Sequence, residues 1–426
     1  MLLALQNFHD QQSANDELRP PFSLPPRIDG FFGRRQDLQD LIDLLTQRQS
    51  VHIAASVRGM AGIGKSALAA EVIHRVMEDP RLFPGGVTWL SCAGQTKMSG
   101  LAWLYRQLVY EWNIVLPLDT TTRATTRDEE AAVLQRILRA NLGPSKRQPQ
   151  PDAALVLLDN VEYELPINQV LPTLRSLGIT VLVTSRHEIN WPQIRQITLD
   201  VLETDPSVTL FAERYKARGG TWDNTRDADH ARHVVELLGR LPLAIELAAA
   251  RAARRKSTPE SLAAELSVAD RLGKLKDPND PTRSVRYAFE QSLRLLSQDQ
   301  YARFVSLGSA NSIEWPRSIL ERSFELLPVT EGTQQPSDDI DVLISLSLLS
   351  PLAPAANSSQ LSDTGAASNR IRIHPLLHEL AQQQWRQQSA EYQQLELEAL
   401  VRALETVLKA IQQGWNTPWR GLSAAA

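Results

Sequence analysis

Eight consecutive residues, Gly59-Met60-Ala61-Gly62-Ile63-Gly64-Lys65-Ser66, are spaced to hold phosphate. They match G-x-x-x-x-G-K-[ST] in full, and each residue type has a task. Glycines let backbone N–H groups curl inward around phosphate oxygens, and the helix that follows adds its partial positive end. Lys65 is placed for the β- and γ-phosphates, and the Ser66 hydroxyl is a ligand for Mg²⁺. The candidate ligand contacts of this loop are Gly59, Gly62, Ile63, Gly64, Lys65, Ser66 and Ala67. A nucleoside triphosphate is the implied ligand.

Such a site needs an acid at the end of a neighbouring parallel strand to hold the metal. Leu155-Val156-Leu157-Leu158-Asp159 supplies it in Asp159. The next residue is Asn160, where many hydrolytic relatives of such loops carry a second acid to orient the attacking water. An amide positions water but does not take its proton. Glu162, two residues on, is the alternative acid. A third run, Val181-Leu182-Val183-Thr184-Ser185-Arg186, ends in an arginine placed to touch the γ-phosphate and report its loss. No N-K-x-D guanine reader occurs, which favours adenine. The expected cofactors are therefore ATP or ADP with Mg²⁺, and the candidate catalytic set is Lys65, Asp159, Asn160, Glu162 and Arg186.

The elements that must position these residues are legible in the pattern. Val51–Val57 reads as a strand entering the glycine loop, and Lys65–Met77 as a helix leaving it, with Leu68, Val72, Ile73 and Val76 along one side. Val87–Leu90, Ala154–Leu158 and Thr180–Thr184 are short apolar runs, as central parallel strands require. Helices are expected at 101–111 and 129–140, with polar connections at 120–126 and 145–152. This alternation predicts an α/β domain with a largely parallel sheet. After Leu199 helical periodicity takes over, at 207–216, 227–239, 242–254, 259–269 and 284–296, with more helix within 301–349. Residues 350–370, rich in Ser, Ala, Pro and Asn, read as a mobile loop. Ile371–Ile373 reads as a strand before a helix from Pro375. Leu395, Leu397, Leu400, Leu404, Leu408 and Ile411 mark one long terminal helix, which either packs back on its own domain or suits a missing neighbour, with Trp415 and Trp419 in an irregular tail.

The 426 residues suggest two to four domains at roughly 100–200 residues each. With 42% hydrophobic and 22% charged residues the chain can bury a substantial core, and a net charge of −4 gives no global attraction to nucleic acid. The one cysteine, Cys92, excludes an internal disulfide and reads as a buried thiol behind Val87–Leu90. No run reaches the roughly 18 apolar residues of a membrane span, and the start Met1-Leu2-Leu3-Ala4-Leu5-Gln6 lacks a basic leader and a long apolar run, so no signal peptide and a cytoplasmic protein are expected.

Together these pieces resemble the NB-ARC class of STAND nucleotide-binding switches. Phe31-Phe32-Gly33-Arg34 resembles the aromatic–Gly–Arg motif near the adenine and ribose, which brings in Phe32, Gly33 and Arg34. The phosphate loop, the Asp159 strand and the Arg186 strand follow in the family's order. Gly239-Arg240-Leu241-Pro242-Leu243 resembles the G-x-P-L motif, which brings in Pro242 and Leu243. His374-Pro375-Leu376-Leu377-His378 resembles the M-H-D segment, whose histidine contacts the bound diphosphate. Here Pro375 replaces the aspartate, so only His374 carries over.

The resemblance implies an α/β P-loop NTPase: a 1–27 lead-in, a nucleotide-binding domain at 28–200, a helical domain at 201–300, a winged-helix domain at 301–385 and an amphipathic helix and tail at 386–426. It implies a switch with slow ATP hydrolysis, a nucleotide-dependent homo-oligomer and a separate effector or sensor protein as partner. Two alternatives belong to other classes. One is a winged-helix, DNA-binding transcription regulator, although the basic clusters at Arg251, Arg254, Arg255 and Lys256 and at Lys274 and Lys276 lie outside the winged-helix segment. The other is an AAA-type ATPase, which needs an acid at position 160 and a trans-acting arginine.

Overall fold

The computed structural model describes residues 22–25, 30–46, 54–79, 81–92, 100–112, 114, 126–142, 154–161, 166–186, 188–189, 191, 194–268, 270–280, 282–327, 335–352 and 370–416. Glu162, Trp419, the connections at 120–125 and 145–152, and the loop at 353–369 lie outside them. The chain divides into two compact units. One comprises residues up to Gly59 with Gly64–Asp200, and the other Met60–Ile63 with the residues from Val201 on.

The first unit is built on six parallel strands: β1 (Phe22–Ser23), β2 (Ala54–Arg58), β3 (Gly86–Ser91), β4 (Ala154–Val161), β5 (Ile179–Ser185) and β6 (Ile194–Thr198), in the order β1-β3-β4-β5-β2-β6. The apolar runs of β4 and β5 occupy the centre, where Leu155, Val156, Leu157, Leu158, Val181, Leu182 and Val183 are buried. Strands covered on both faces need no polar alternation, which is why they read as unbroken runs. Helices Gly100–Glu111 and Arg127–Leu142 pack against each other, and Leu104, Leu108, Leu134 and Leu138 join the same core as β4 and β5.

Two strands of this unit are not predicted from the sequence. β1 lies in the segment taken as a lead-in, and its two residues, Phe22 and Ser23, pair in parallel with Val87 and Thr88 of β3. β6 mixes Ile194 and Ile197 with polar Arg195, Gln196 and Thr198 at the other edge, beside β2. Both are edge strands, too short or too polar to give a central-strand pattern.

The second unit contains helices Thr204–Ala217, Asn224–Leu237, Pro242–Arg255, Pro259–Ser267, Val285–Leu293 and Gln298–Ser306. They are followed by a small antiparallel sheet, β7 (Glu314–Pro316), β8 (Leu349–Pro351) and β9 (Arg370–Ile373), in the order β7-β9-β8. Helices Arg317–Glu325, Pro336–Ser345 and Pro375–Trp385 accompany the sheet. The two ends of the segment read as a mobile loop are therefore strands, β8 and the first residue of β9.

The terminal helix runs Ala390–Asn416, so Trp415 is helical and not in an irregular tail; no proline interrupts the segment before Pro418. Its packing also differs from the expected leucine seam. Glu396, Ala399 and Ala403 are buried, and the helix packs against Arg317–Glu325. Leu395, Leu397, Val401, Leu404 and Leu408 are exposed. The small alanines allow close helix approach, which puts the bulky stripe on the other side.

Candidate phosphate-binding site

β2 delivers the chain to Gly59, and helix Lys65–Val76 begins at the far end of the loop. Gly64 caps that helix with φ 97°, a left-handed conformation that an L side chain adopts only under strain. The helix's first-turn N–H groups have no intrahelical acceptors, which makes this end an anion site by geometry. Lys65 is 8% exposed, and its Nζ donates to the Gly59 carbonyl at 2.7 Å, drawing the two ends of the loop together. Burial pushes the Lys65 ammonium down to about 7; the nearby Arg186 charge adds to this and Asp159 opposes it. The strand order β4-β5-β2 places Lys65, Asp159 and Arg186 in one neighbourhood, where their charges act on one another. Ser66, next on the helix, is exposed.

Asp159 and Asn160 end β4 in a bulge. The β4–β5 register pairs Leu158 with Val183 and then Val161 with Ser185, so the two residues between oppose Thr184 alone. Asn160 takes φ 56°, and its N–H donates to Thr184 Oγ1 at 2.8 Å. The Thr184 hydroxyl donates to Asp159 Oδ1 at 2.6 Å. Bulges near sites re-aim side chains, and this one turns the metal-type carboxylate toward the end of β5. Thr184 is not among the site residues predicted from sequence, because it is one of three hydroxyl residues in β5, with Thr180 and Ser185, and nothing in the pattern singles it out.

Arg34 is committed to its own unit. Its guanidinium donates to the Asp200 carbonyl at 2.7 Å and pairs with Asp37 at 3.3 Å, and burial lowers its pKa. Those bonds tie the start of helix Arg35–Thr46 to the last residue of the unit. Phe32 and Gly33 precede it and are half-buried, Gly33 with φ 69°.

Met60–Ile63 cluster with the second unit, where the Leu243 N–H donates to the Gly62 carbonyl at 3.2 Å. A Cβ at Gly62, whose φ is 79°, would lie 2.9 Å from Leu243 Cβ. Pro242 opens helix Pro242–Arg255, where its missing N–H costs nothing. In the same unit His374 caps helix Pro375–Trp385: its Nδ1 accepts from the Leu376 N–H at 3.2 Å, and its Nε2 stands 3.0 Å from the Gly239 carbonyl. Accepting at Nδ1 and donating at Nε2 fixes the neutral Nε2–H tautomer. A Cβ at Gly239 would lie 2.4 Å from that nitrogen, so the two motifs at 239–243 and 374–378 meet at a glycine.

Cys92 is buried, and burial, with the Asp159 charge adding to it, pushes its thiol up to about 12. No helix among the described residues is long and apolar enough to cross a membrane.

An NB-ARC domain model matches residues 34–218. Over 344 residues the chain is 30% identical to Regulatory protein AfsR of Streptomyces griseus, covering 78% of this chain and 32% of that protein. Over 173 residues it is 32% identical to apoptotic protease-activating factor 1 of Danio rerio, covering 39% of this chain and 13% of that one. Among solved structures, the Aeropyrum pernix ORC2 protein in its ADP form aligns with 84% of this chain and 95% of its own, at 16% identity and a TM-score of 0.42. The chain thus spans about a third of the length of the Streptomyces relative it matches. With the domain match comes nucleotide binding. Residues 34–218 thus form an NB-ARC domain, of the P-loop NTPase class.

Proposed function

We propose that this chain is an adenine-nucleotide switch. It binds ADP or ATP with Mg²⁺, hydrolyses ATP slowly, and couples the bound nucleotide to rearrangement of its domains and so to a signalling partner. The end of β4 carries this reading: among the described residues it has one carboxylate, Asp159, followed by an amide in a left-handed bulge. General-base catalysis needs a group that accepts the water's proton, and an amide does not. Without that acid the nucleotide persists long enough to define a state.

In this reading Lys65 and the loop N–H groups hold the phosphates and Arg186 senses the γ-phosphate. Mg²⁺ keeps mostly water and phosphate oxygens and takes few protein ligands, which suits the hydroxyl of Ser66 and the carboxylate of Asp159. Bound there, the ion neutralises charge developing on the phosphates. Phe32, Gly33, Pro242 and Leu243 serve the base and ribose. Arg34 holds that loop in place through Asp200, and His374 answers to the diphosphate. The domains operated on are those at 28–200, 201–300 and 301–385, and a nucleotide-dependent homo-oligomer with a separate effector or sensor is the output. A ligand shifts such an equilibrium only by its differential affinity for the two states. The Streptomyces relative is named a regulatory protein, which supports a place in regulation.

A DNA-binding reading would use the sheet-containing segment as a winged helix. Its arginines argue otherwise. Arg370 and Arg372 pair with Glu314, Arg317 with Glu321 and Asp341, and Arg322 with Glu325. Cations already neutralised by protein acids release few counterions on duplex DNA, so salt-dependent duplex binding is not expected. The switch itself is tested by steady-state turnover of the pure protein. A rate below about 1 s⁻¹, at the slow edge of ordinary enzymes, is expected, and a faster one refutes it.

A further inference from the structure

We propose that Thr184 is a positioning residue for the metal carboxylate, fixing both Asp159 and the backbone of Asn160 through its one hydroxyl; the proposal rests on the Mg²⁺–nucleotide reading above. Thr184 is 0% exposed in a strand covered on both faces. A hydroxyl there is costly unless bonded. It is bonded twice, to the two residues that the bulge sets opposite it: it donates to Asp159 Oδ1 at 2.6 Å and accepts from the Asn160 N–H at 2.8 Å. A hydroxyl has one proton and two lone pairs, so giving the proton to the carboxylate leaves a lone pair for the amide. The first bond is short and charge-assisted. The second stands in for the ladder bond that a bulged residue loses.

Two consequences follow for the site. Asp159 Oδ1 accepts from Thr184, which fixes the orientation of the carboxylate that would hold the cation. Asn160 is held at φ 56°, a conformation that asparagine tolerates and a glutamate resists. The bulge that aims the metal ligand therefore also disfavours a long acid at the position where a general base would stand. Metal geometry and slow turnover share one hydroxyl.

The test uses the full chain with Thr184→Val, which keeps the shape and removes the hydroxyl, and Thr184→Ser, which keeps the hydroxyl. Fluorescent ADP is titrated in Mg²⁺ and in EDTA, and the ratio of the two affinities is read. Thr184→Val is expected to lose about tenfold of the Mg²⁺-dependent gain, the order of one hydrogen bond to a charged group, with its EDTA affinity unchanged. Thr184→Ser is expected to retain the gain. If Thr184→Val does not fold, Thr184→Ala is read in its place with the same expectation. An undiminished Mg²⁺ gain in the hydroxyl-free variant overturns the proposal. So does an equal loss in valine and serine variants, which would make the role packing alone, and so does a wild type indifferent to Mg²⁺. A wild type that binds no ADP in either buffer instead overturns the nucleotide reading itself.

Discussion

Glu396 provides a sharp test of the packing in the second unit. Its side chain is 1% exposed on helix Ala390–Asn416, and neither carboxylate oxygen has a hydrogen-bond partner of normal geometry among the described residues. Burial pushes the carboxyl up to about 7, only partly offset by the Trp385 indole. The folded helix therefore binds a proton that the unfolded chain, with an ordinary glutamate, has released. Stability from this group is complete below the unfolded value and is lost as pH rises through about 7. Shifting a carboxyl from its ordinary range to about 7 corresponds to ~3 kcal/mol, or roughly a 100-fold change in the opening equilibrium of the helix. Amide hydrogen exchange across residues 390–409, corrected for intrinsic rates, reads that equilibrium directly. Wild-type protection is expected to fall between pH 5 and pH 8 relative to Glu396→Gln, whose amide does not titrate. The variant is then the better protected at pH 8, by tenfold or more once the cost of burying its own amide is deducted. A ratio of variant to wild-type protection that is the same at both pH values refutes the reasoning.

Further expectations concern the site. Lys65→Ala removes the buried ammonium from the phosphate loop and is expected to weaken ATP binding at least ~100-fold, as loss of a close charge partner does; unchanged affinity by fluorescence titration contradicts it. Gly62→Ala faces both a positive φ and a 2.9 Å approach to Leu243 Cβ, and a loss of ~1–3 kcal/mol in urea denaturation is expected. His374→Ala is expected to loosen ADP more than ATP, whereas equal losses leave the ring as the helix cap described above. The Cys92 thiol, pushed up to about 12, is expected to be inert to a disulfide reagent at pH 8 until the protein is denatured.

The central strands were readable because burial on both faces leaves an unbroken apolar run, and β4 and β5 are such runs. The glycine loop was readable because its spacing is constrained by phosphate. β1 and β6 were not, since an edge strand of two residues or of mixed polarity carries no period. The bulge at Asp159–Asn160 was also invisible: one extra residue in a ladder appears only once both strands are paired. Thr184 was passed over for the same reason, and the contact between Gly239 and His374, 135 residues apart, is likewise a product of tertiary packing. The terminal helix was found by its leucines, yet two alanines and a glutamate were buried instead. Periodicity locates a helix and its faces, but which face is covered depends on the neighbour's shape.

The most direct test of the switch is to denature freshly purified protein, identify any released nucleotide by chromatography, and compare the native mass before and after exchange into ATP–Mg²⁺. The account predicts stoichiometric ADP on a monomer that assembles after exchange. An empty protein that turns over ATP without a change in mass would contradict it.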